Sequence, residues 1–263
     1  MYRIVFLGAF YSVAATIGAT LLCALMRTRR AMARNEAGSI RWHSDFGDLP
    51  ADARACRHAL TGEIPGRICP NAFDCRICTR HAQLVAHAPA PPAPDSEDEI
   101  FGMSFPLDRL YHRGHTWVKP QPDGTVCIGL DELGKRLMPH PDIVDLPAPG
   151  ATLHANSAAF RLGRAGANVP ILSPVDGKVM ETGGPDQGWY LRVRPSNSNF
   201  THLLRGAEVR HWVMRELERL QLALTAEGAA PALADGGVPV EDIPASFPAA
   251  DWDAVSGQMF LAP

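Results

Sequence analysis

Ser173-Pro174-Val175-Asp176-Gly177-Lys178-Val179 is the stretch on which the fold turns. Pro174 and Gly177 mark a tight turn between two apolar runs. Pro170–Leu172 leads into that turn as one strand, and Gly177–Glu181 leaves it as another. Upstream, Thr116–Val118 and Thr125–Leu130 read as strands joined by the turn Gln121–Gly124. Asp142–Leu146 and Ala158–Leu162 are further short strands, and Trp189–Val193 is one more downstream. Short strands separated by frequent Gly/Pro turns predict a compact β barrel or sandwich. A helix follows, because Val209, Trp212, Val213, Leu217, Leu220 and Leu224 fall near one helical face. That stripe is expected to pack on the β domain.

The run from Tyr111 to Val193 resembles the H protein of the glycine cleavage system. The matching residues are His115, Trp117 and Val118; Gly124, Val126, Ile128 and Gly129; Asp142, Ile143 and Val144; and Leu146, Pro147 and Gly150. The Ser173–Val179 stretch resembles the turn and strand after that family's lipoyl hairpin, and Gly188-Trp189 with Val193 resembles its closing strand. The resemblance covers about a third of the chain, less than the two domains its length allows. It implies a flattened β barrel-sandwich with a lipoyl-lysine at a hairpin tip. Counted back from Ser173, that lysine position falls at Gly166, within Arg164-Ala165-Gly166-Ala167. Lys119, Lys135 and Lys178 are the chain's lysines, and Lys178 lies past the turn. The loop before Gly188 is also shorter than the family pattern. The resemblance therefore implies the carrier fold without lipoate, and function has to be argued from sites and not from the fold.

Ile4 to Met26 contains no charged residue. At about 1.5 Å per residue such a run matches a hydrocarbon core of about 30 Å. It is too long for a typical signal-peptide core and has no small-residue cleavage pattern before Arg27. The expectation is a single transmembrane helix. Arg27, Arg29, Arg30 and Arg34 follow it and Arg3 alone precedes it. The positive-inside rule then puts the N-terminus outside an inner (cytoplasmic or intracytoplasmic) membrane and the remainder in the cytoplasm. Gly8, Ser12, Ala15 and Ala19 would offer a small-residue face to a partner helix.

The expected organisation is a transmembrane anchor over residues 1–30, a connector over 31–55 and a cysteine-rich metal-binding segment over 56–85. A Pro/acidic linker over 86–100 leads to an H-protein-like domain with its C-terminal amphipathic helix over 101–225. An extended tail spans 226–263. The fold class is mainly β with helices. The tail is too rich in Ala, Pro and Gly to form a core of its own, and its Phe247, Trp252, Met259 and Phe260 are expected to fold onto a partner. A hydrophobic content of 46% suits a folded chain with a membrane segment, and a net charge of −3 argues against nucleic acid as partner.

Cys56, Cys69, Cys75 and Cys78 form a cluster, with His58 and His81 nearby. A Cys-x2-Cys pair lets two thiolates reach one ion across a turn, and two further thiolates complete a tetrahedron, which suits zinc. Thiolates also hold iron–sulfur clusters, which spacing does not separate from zinc, and free cysteines packed as small apolar residues remain a third possibility. So short a segment would draw most of its folding energy from the metal. No nucleophile–base constellation, phosphate loop or carboxylate pair is evident. His112, His115 and His140 read as structural.

These features predict a non-enzymatic scaffold subunit of an integral-membrane complex, contacting it through the span, the β domain and the tail. The layout is similar to that of the H subunit of purple-bacterial photosynthetic reaction centres, so an auxiliary role in a photosynthetic or respiratory complex is one expectation. A metal-dependent redox or sensing protein acting through the four cysteines is the alternative, and a module binding lipoate-related partners is a third reading.

Overall fold

The computed structural model describes residues 2–33, 46, 49–85, 97–164, 166–226 and 239–261. The chain divides into two units, residues 1–42 and 43–263. Most of the expected connector, the start of the expected linker and residues 227–238 of the expected tail lie outside the described residues.

The first unit holds one helix, α1 (Tyr2–Ala33). The expected helix is therefore present, but the expected membrane span is not. Among the described residues, no helix is long and apolar enough to cross a membrane. Absence of charge between Ile4 and Met26 is a weaker requirement than sustained apolarity. The run is interrupted by Gly8, Ser12, Thr16, Gly18 and Thr20, and the two threonine hydroxyls bond back to the Ser12 and Ile17 carbonyls. The single-pass topology, the inner-membrane location and the likeness of layout to a reaction-centre subunit all rested on that span and are corrected with it.

The second unit is built on antiparallel sheets. The strands are β1 (Glu97–Ile100), β2 (Met103–Pro106), β3 (Leu110–His112), β4 (Thr116–Pro120), β5 (Val126–Leu130), β6 (Ile143–Asp145), β7 (Thr152–Leu153), β8 (Ala158–Arg164), β9 (Ala167–Leu172), β10 (Gly177–Gly184) and β11 (Trp189–Pro195). A six-stranded sheet runs in the order β3-β4-β5-β11-β10-β7, a three-stranded sheet in the order β6-β8-β9, and β1 pairs with β2 alone. Alternating side chains from these strands are fully buried, among them Val118, Ile128, Leu162, Val169, Ile171, Leu191 and Val193. That alternation is the period-2 pattern of sheets with one face on a shared core. Strand β1 falls at the end of the expected linker, and its partner β2 opens the expected domain. Ile100, Met103 and Phe105 are buried, so the acidic run Glu97–Glu99 is the outer part of a strand whose far end enters the core.

The Ser173–Val179 stretch turns as expected, and side chains fix it. Ser173 is fully buried and its hydroxyl donates to the Val175 carbonyl at 2.7 Å. Asp176 accepts from the Ala155 amide at 3.0 Å. A Cβ at Gly177 would come within 2.5 Å of the Arg194 carbonyl, so only glycine lets β10 lie against β11 here.

The helices of this unit are α2 (Arg57–Leu60), α3 (Thr79–Val85), α4 (Glu132–Leu137), α5 (Ala207–Ala226), α6 (Ile243–Ser246) and α7 (Trp252–Met259). The stripe expected on α5 is in the core, with Val209, Trp212, Val213, Leu220 and Leu224 buried. The expected tail is not extended over its described part. Ile243, Val255, Met259 and Phe260 are at most 1% exposed and belong to the main core, while Phe247 and Trp252 pack against it. A Pro/Gly-rich segment cannot build a core alone, but it can complete one whose other walls the sheets and α5 already supply.

Candidate functional site

The strands β8 and β9 form a hairpin that pairs as far as Arg164↔Ala167, leaving two residues to turn the chain. One is Gly166, with φ +91°, a left-handed conformation that costs glycine nothing and an L side chain about 1 kcal/mol or more. Gly166 therefore holds the tip where the resemblance places a lysine, and it offers no amine. Its neighbour Arg164 is bound by Asp242 through two bonds of 2.9 and 2.7 Å. The pair raises the guanidinium's proton affinity and lowers the carboxylate's, chiefly through those bonds. Helix α7 packs along β9, and the Asn168 amide points at Asp253. The C-terminal segment thus flanks the hairpin.

The cysteine-rich segment is shaped by a single antiparallel bridge, Ala55↔Ile68. The Cys56 amide donates to the Arg67 carbonyl at 2.8 Å and the Cys69 amide to the Arg54 carbonyl at 2.7 Å, which sets these two cysteines diagonally on either side of the bridge. Cys75 and Cys78 bracket one tight turn, closed by the Cys78 amide on the Cys75 carbonyl at 3.2 Å. Burial pushes the Cys75 thiol up to about 11, opposed by a hydrogen bond and charge from Arg57, with Cys56 and Cys69 within electrostatic reach. Arg67 reaches the Cys78 sulfur at 3.7 Å. All four cysteines are free thiols. Among the described residues no group of three or more His, Cys, Asp or Glu side chains is disposed to hold a metal ion.

This segment packs on the rest of its unit through long-range side-chain contacts. Arg57 bonds Glu208 at the start of α5, with the Nε contact at 2.9 Å, and donates to the Thr201 carbonyl. Arg76, between Cys75 and Cys78, bonds Asp74 and reaches Asp176 of the Ser173–Val179 turn at 2.6 Å. Asn156 donates to the Ala72 carbonyl at 2.8 Å. Buried Arg113 donates to the Ala55 carbonyl and lies 4.3 Å over the Phe73 ring. These contacts tie the segment to the sheet.

No family model matches the chain. The glycine cleavage system H protein of Neisseria gonorrhoeae (strain ATCC 700825 / FA 1090) is 25% identical over 114 residues, covering 38% of this chain and 86% of that protein. The glycine cleavage system H protein of Shewanella sp. (strain MR-7) is 25% identical over 118 residues, covering 40% and 92%. The crystal structure of a glycine cleavage system H protein from Mycobacterium marinum superposes with a TM-score of 0.35 at 24% identity, covering 40% of this chain and 94% of that one. The β domain is H-protein-like.

No lysine of the H-protein-like domain stands at its hairpin. Lys178 is on β10, paired in register with Arg194 and Thr152 on the other sheet. Lys119 is engaged by Asp108, and Lys135 lies one turn from Glu132.

A second buried polar group, missed as a unit in the sequence, joins the domain to α5. His115, fully buried at φ +60°, bonds Asp131 through Nδ1 at 3.0 Å and faces Glu216 through Nε2 at 3.7 Å. Its ring stacks on Trp212 at 5.3 Å, and Phe260 meets it edge-on. Trp212 Nε1 donates to Glu216 at 3.1 Å, and Arg219 completes the ion pair at 2.5 Å. Burial alone would push the His115 imidazole down, but Asp131 and Glu216 together lift it to about 9. Burial would raise Glu216, but Arg219 and His115 hold it at about 2. The row is closed to solvent and fastens α5 to the sheet. His112 is likewise buried, bonded to Asn156 at 2.7 Å and pushed by burial to about 4. The partners of His115 are 16 and 101 positions along the chain, which leaves no local signal for the group.

Proposed function

We propose that this chain is a non-catalytic interaction subunit whose H-protein-like domain serves as a docking body and carries no lipoate. The observation that carries this reading is the hairpin tip. Gly166 occupies the turn in a left-handed conformation, the hairpin sequence 158–172 contains no lysine, and Arg164 beside it is engaged by the chain's own Asp242. A swinging acyl arm needs a free amine at a free tip, and this tip has neither. The opposite edge of the same small sheet supports a protein partner. Strand β6 is an edge strand, with Ile143 48% and Val144 37% exposed. An open edge with apolar side chains is a surface on which another chain can add a strand.

The test has two arms. Full-length protein expressed with active lipoate ligase should show no added mass, and a lipoyl adduct on any lysine would overturn the reading. Native mass spectrometry of gently isolated assemblies should then show a protein partner that Val144→Arg removes. A chain that is monomeric in every preparation would refute the docking role.

A second reading is favoured by one observation, that Cys56 and Cys69 lie within electrostatic reach of Cys75, with Cys78 closing the same turn. Four thiolates would suit zinc, or an iron–sulfur cluster, and nearby arginines would balance the negative charge of such a site. Binding would require the sulfurs to close in on the ion. Elemental analysis of freshly isolated protein decides it: zinc or iron near one equivalent per chain, lost in Cys75→Ser, supports the site, and metal-free protein removes it.

A further inference from the structure

The four cysteines of the segment form two pairs of different geometry. Cys56 and Cys69 are buried and sit diagonally across the Ala55↔Ile68 bridge. Diagonal neighbours are about 7–8 Å apart, beyond the reach of a disulfide unless the backbone moves. Cys75 and Cys78 are only half-buried. They bracket a single helical turn, Cys75–Ile77, closed by the 3.2 Å bond from the Cys78 amide to the Cys75 carbonyl. Such a turn brings its first and fourth Cα atoms within about 7 Å, and a disulfide spans about 4.4–6.8 Å. The turn is open to solvent, with Ile77 between the two cysteines 72% exposed.

The side chains around the turn give the two sulfurs different surroundings. Arg67 donates to the Cys78 sulfur at 3.7 Å, and a guanidinium beside a sulfur favours the thiolate, which is the form that attacks. The segment's histidines are engaged elsewhere, since His58 and His81 meet at 3.0 Å and Glu63 bonds His58. Cys75 lies deeper, within electrostatic reach of Arg57, Cys56 and Cys69. Arg76, enclosed between Cys75 and Cys78, bonds Asp74 and reaches Asp176 at 2.6 Å. Asp176 also accepts from the Ala155 amide. A restraint on the cysteine turn is therefore a restraint on Arg76 and on its contact with the Ser173–Val179 turn.

We propose that Cys75 and Cys78 form a reversible exchange site for small disulfides of the glutathione type, and that Arg76 transmits their state to the Ser173–Val179 turn. The Cys78 thiolate attacks one sulfur of the small disulfide, whose S–S bond breaks and releases a thiolate. Cys75 passes its proton to that thiolate and attacks the Cys78 sulfur of the mixed disulfide. The Cys75–Cys78 bond forms, and the second small thiolate leaves and takes up the proton that Cys78 had given to solvent. The protein has lost two hydrogens and two electrons, and the small disulfide has become two thiols. The site is separate from the hairpin and the β6 edge, so it stands whether or not the docking reading does. A metal on the four sulfurs would occupy the same thiols, and the test separates the two.

Freshly isolated full-length chain, incubated with mixtures of oxidised and reduced glutathione with and without a metal chelator, provides the test. Without chelator, intact mass should show the loss of two hydrogens, reversed by excess reduced glutathione, and peptide fragmentation should join Cys75 to Cys78. Cys78→Ser should abolish the reaction. Cys75→Ser should retain a glutathionyl group on Cys78 that the native chain resolves, and Cys56→Ser and Cys69→Ser should react as the native chain does. Amide hydrogen exchange over 173–179 should be slower in the oxidised chain than in the reduced one, and Arg76→Ala should erase that difference. Absence of the Cys75–Cys78 bond, a bond to Cys56 or Cys69 in its place, a reaction that starts only once chelator is added, or equal hydrogen exchange in the two states would each overturn the proposal.

Discussion

The β8–β9 hairpin and the cysteine-rich segment are opposites. The hairpin keeps the backbone of a carrier: strands in register, a two-residue tip, and the Ser173–Val179 turn locked behind it. At its tip stands Gly166, where the resemblance places a lysine. The cysteine segment holds four thiols, two histidines and several arginines, but its backbone has almost no regular frame beyond one bridge and three short helical turns. Side chains fasten it to the sheet. A fold is kept by many backbone bonds and a distributed core, whereas a reaction hangs on a few atoms and can be lost with a single residue. The same logic makes the cysteine segment the easier place for a new activity, since its reactive groups are present and its frame is borrowed.

If that frame is borrowed, removing what lends it should affect both regions. The largest effect is expected from truncation after Ala226. Ile243, Val255, Met259 and Phe260 are nearly fully buried, and each contributes about 1.5–3 kcal/mol by burial. Together that rivals the 5–15 kcal/mol total of an ordinary domain. The truncated chain should lose cooperative urea unfolding, and Phe260→Ala alone should cost about 3–5 kcal/mol. A cooperative transition retained at the same midpoint would restore the idea of a dispensable tail.

Next comes the buried row. Glu216→Ala takes the buried carboxylate from Arg219, leaves His115 with Asp131 alone and should cost about 3–5 kcal/mol in denaturant titrations, as breaking one partner of a buried pair does. Helix α5 also carries Glu208, the anchor of Arg57. Hydrogen exchange should therefore quicken over 56–85 more than over the β8–β9 hairpin. Equal quickening in both would show that the cysteine segment is no more dependent on α5 than the hairpin is.

A smaller effect is a pH dependence with a defined optimum. His115 is raised to about 9 from an ordinary value near 6.5, so its contribution is complete below about 6.5 and is lost as pH rises through 9. His112 and His81 are depressed to about 4, so the unfolded chain takes up protons first and stability falls as pH drops from 6.5 toward 4. The melting temperature should peak near pH 6.5. In His115→Gln the alkaline limb between 6.5 and 9 should flatten while the acid limb stays. A limb that persists in that variant would assign it to another group.

Much of the sheet was legible because its signals are local. Turn residues and alternating apolar positions marked β4, β5, β8, β10 and β11, and the α5 stripe repeats at helical spacing. The hairpin β1–β2 was hidden by three acidic residues on one strand, and α4 by a run of only six residues capped by Asp131. The tail was misread because its composition describes what it cannot do alone, while its burial depends on walls contributed by β9 and α5. The N-terminal run was read from its lack of charge, which does not measure apolarity. Gly166 was legible by counting from Ser173. The row of His115, Asp131, Glu216 and Arg219, and the pairing of His58 with His81, were not, because long-range contacts between single polar residues leave no periodicity.

The smallest predicted change concerns the hairpin itself. Arg164 and Asp242 are 22% and 34% exposed, and a partly exposed pair is worth about 0.2–1 kcal/mol even in bidentate geometry. Arg164→Ala should therefore move the melting temperature by only a degree or two on the order of the usual scaling. Its local consequence should be larger than its global one. Asp242 also accepts from the Ala245 amide at the start of α6, so it links the hairpin tip to the segment that leads into α7. With the pair removed, hydrogen exchange should rise at 163–168 and at 242–246 and stay unchanged across the six-stranded sheet. The double variant Arg164→Ala with Asp242→Asn should be no worse than the sum of the two single changes, and a smaller combined loss measures the coupling. If exchange at 163–168 is the same with and without Arg164, the C-terminal segment lies beside the tip without restraining it. The difference between the two regions would then reduce to a missing lysine.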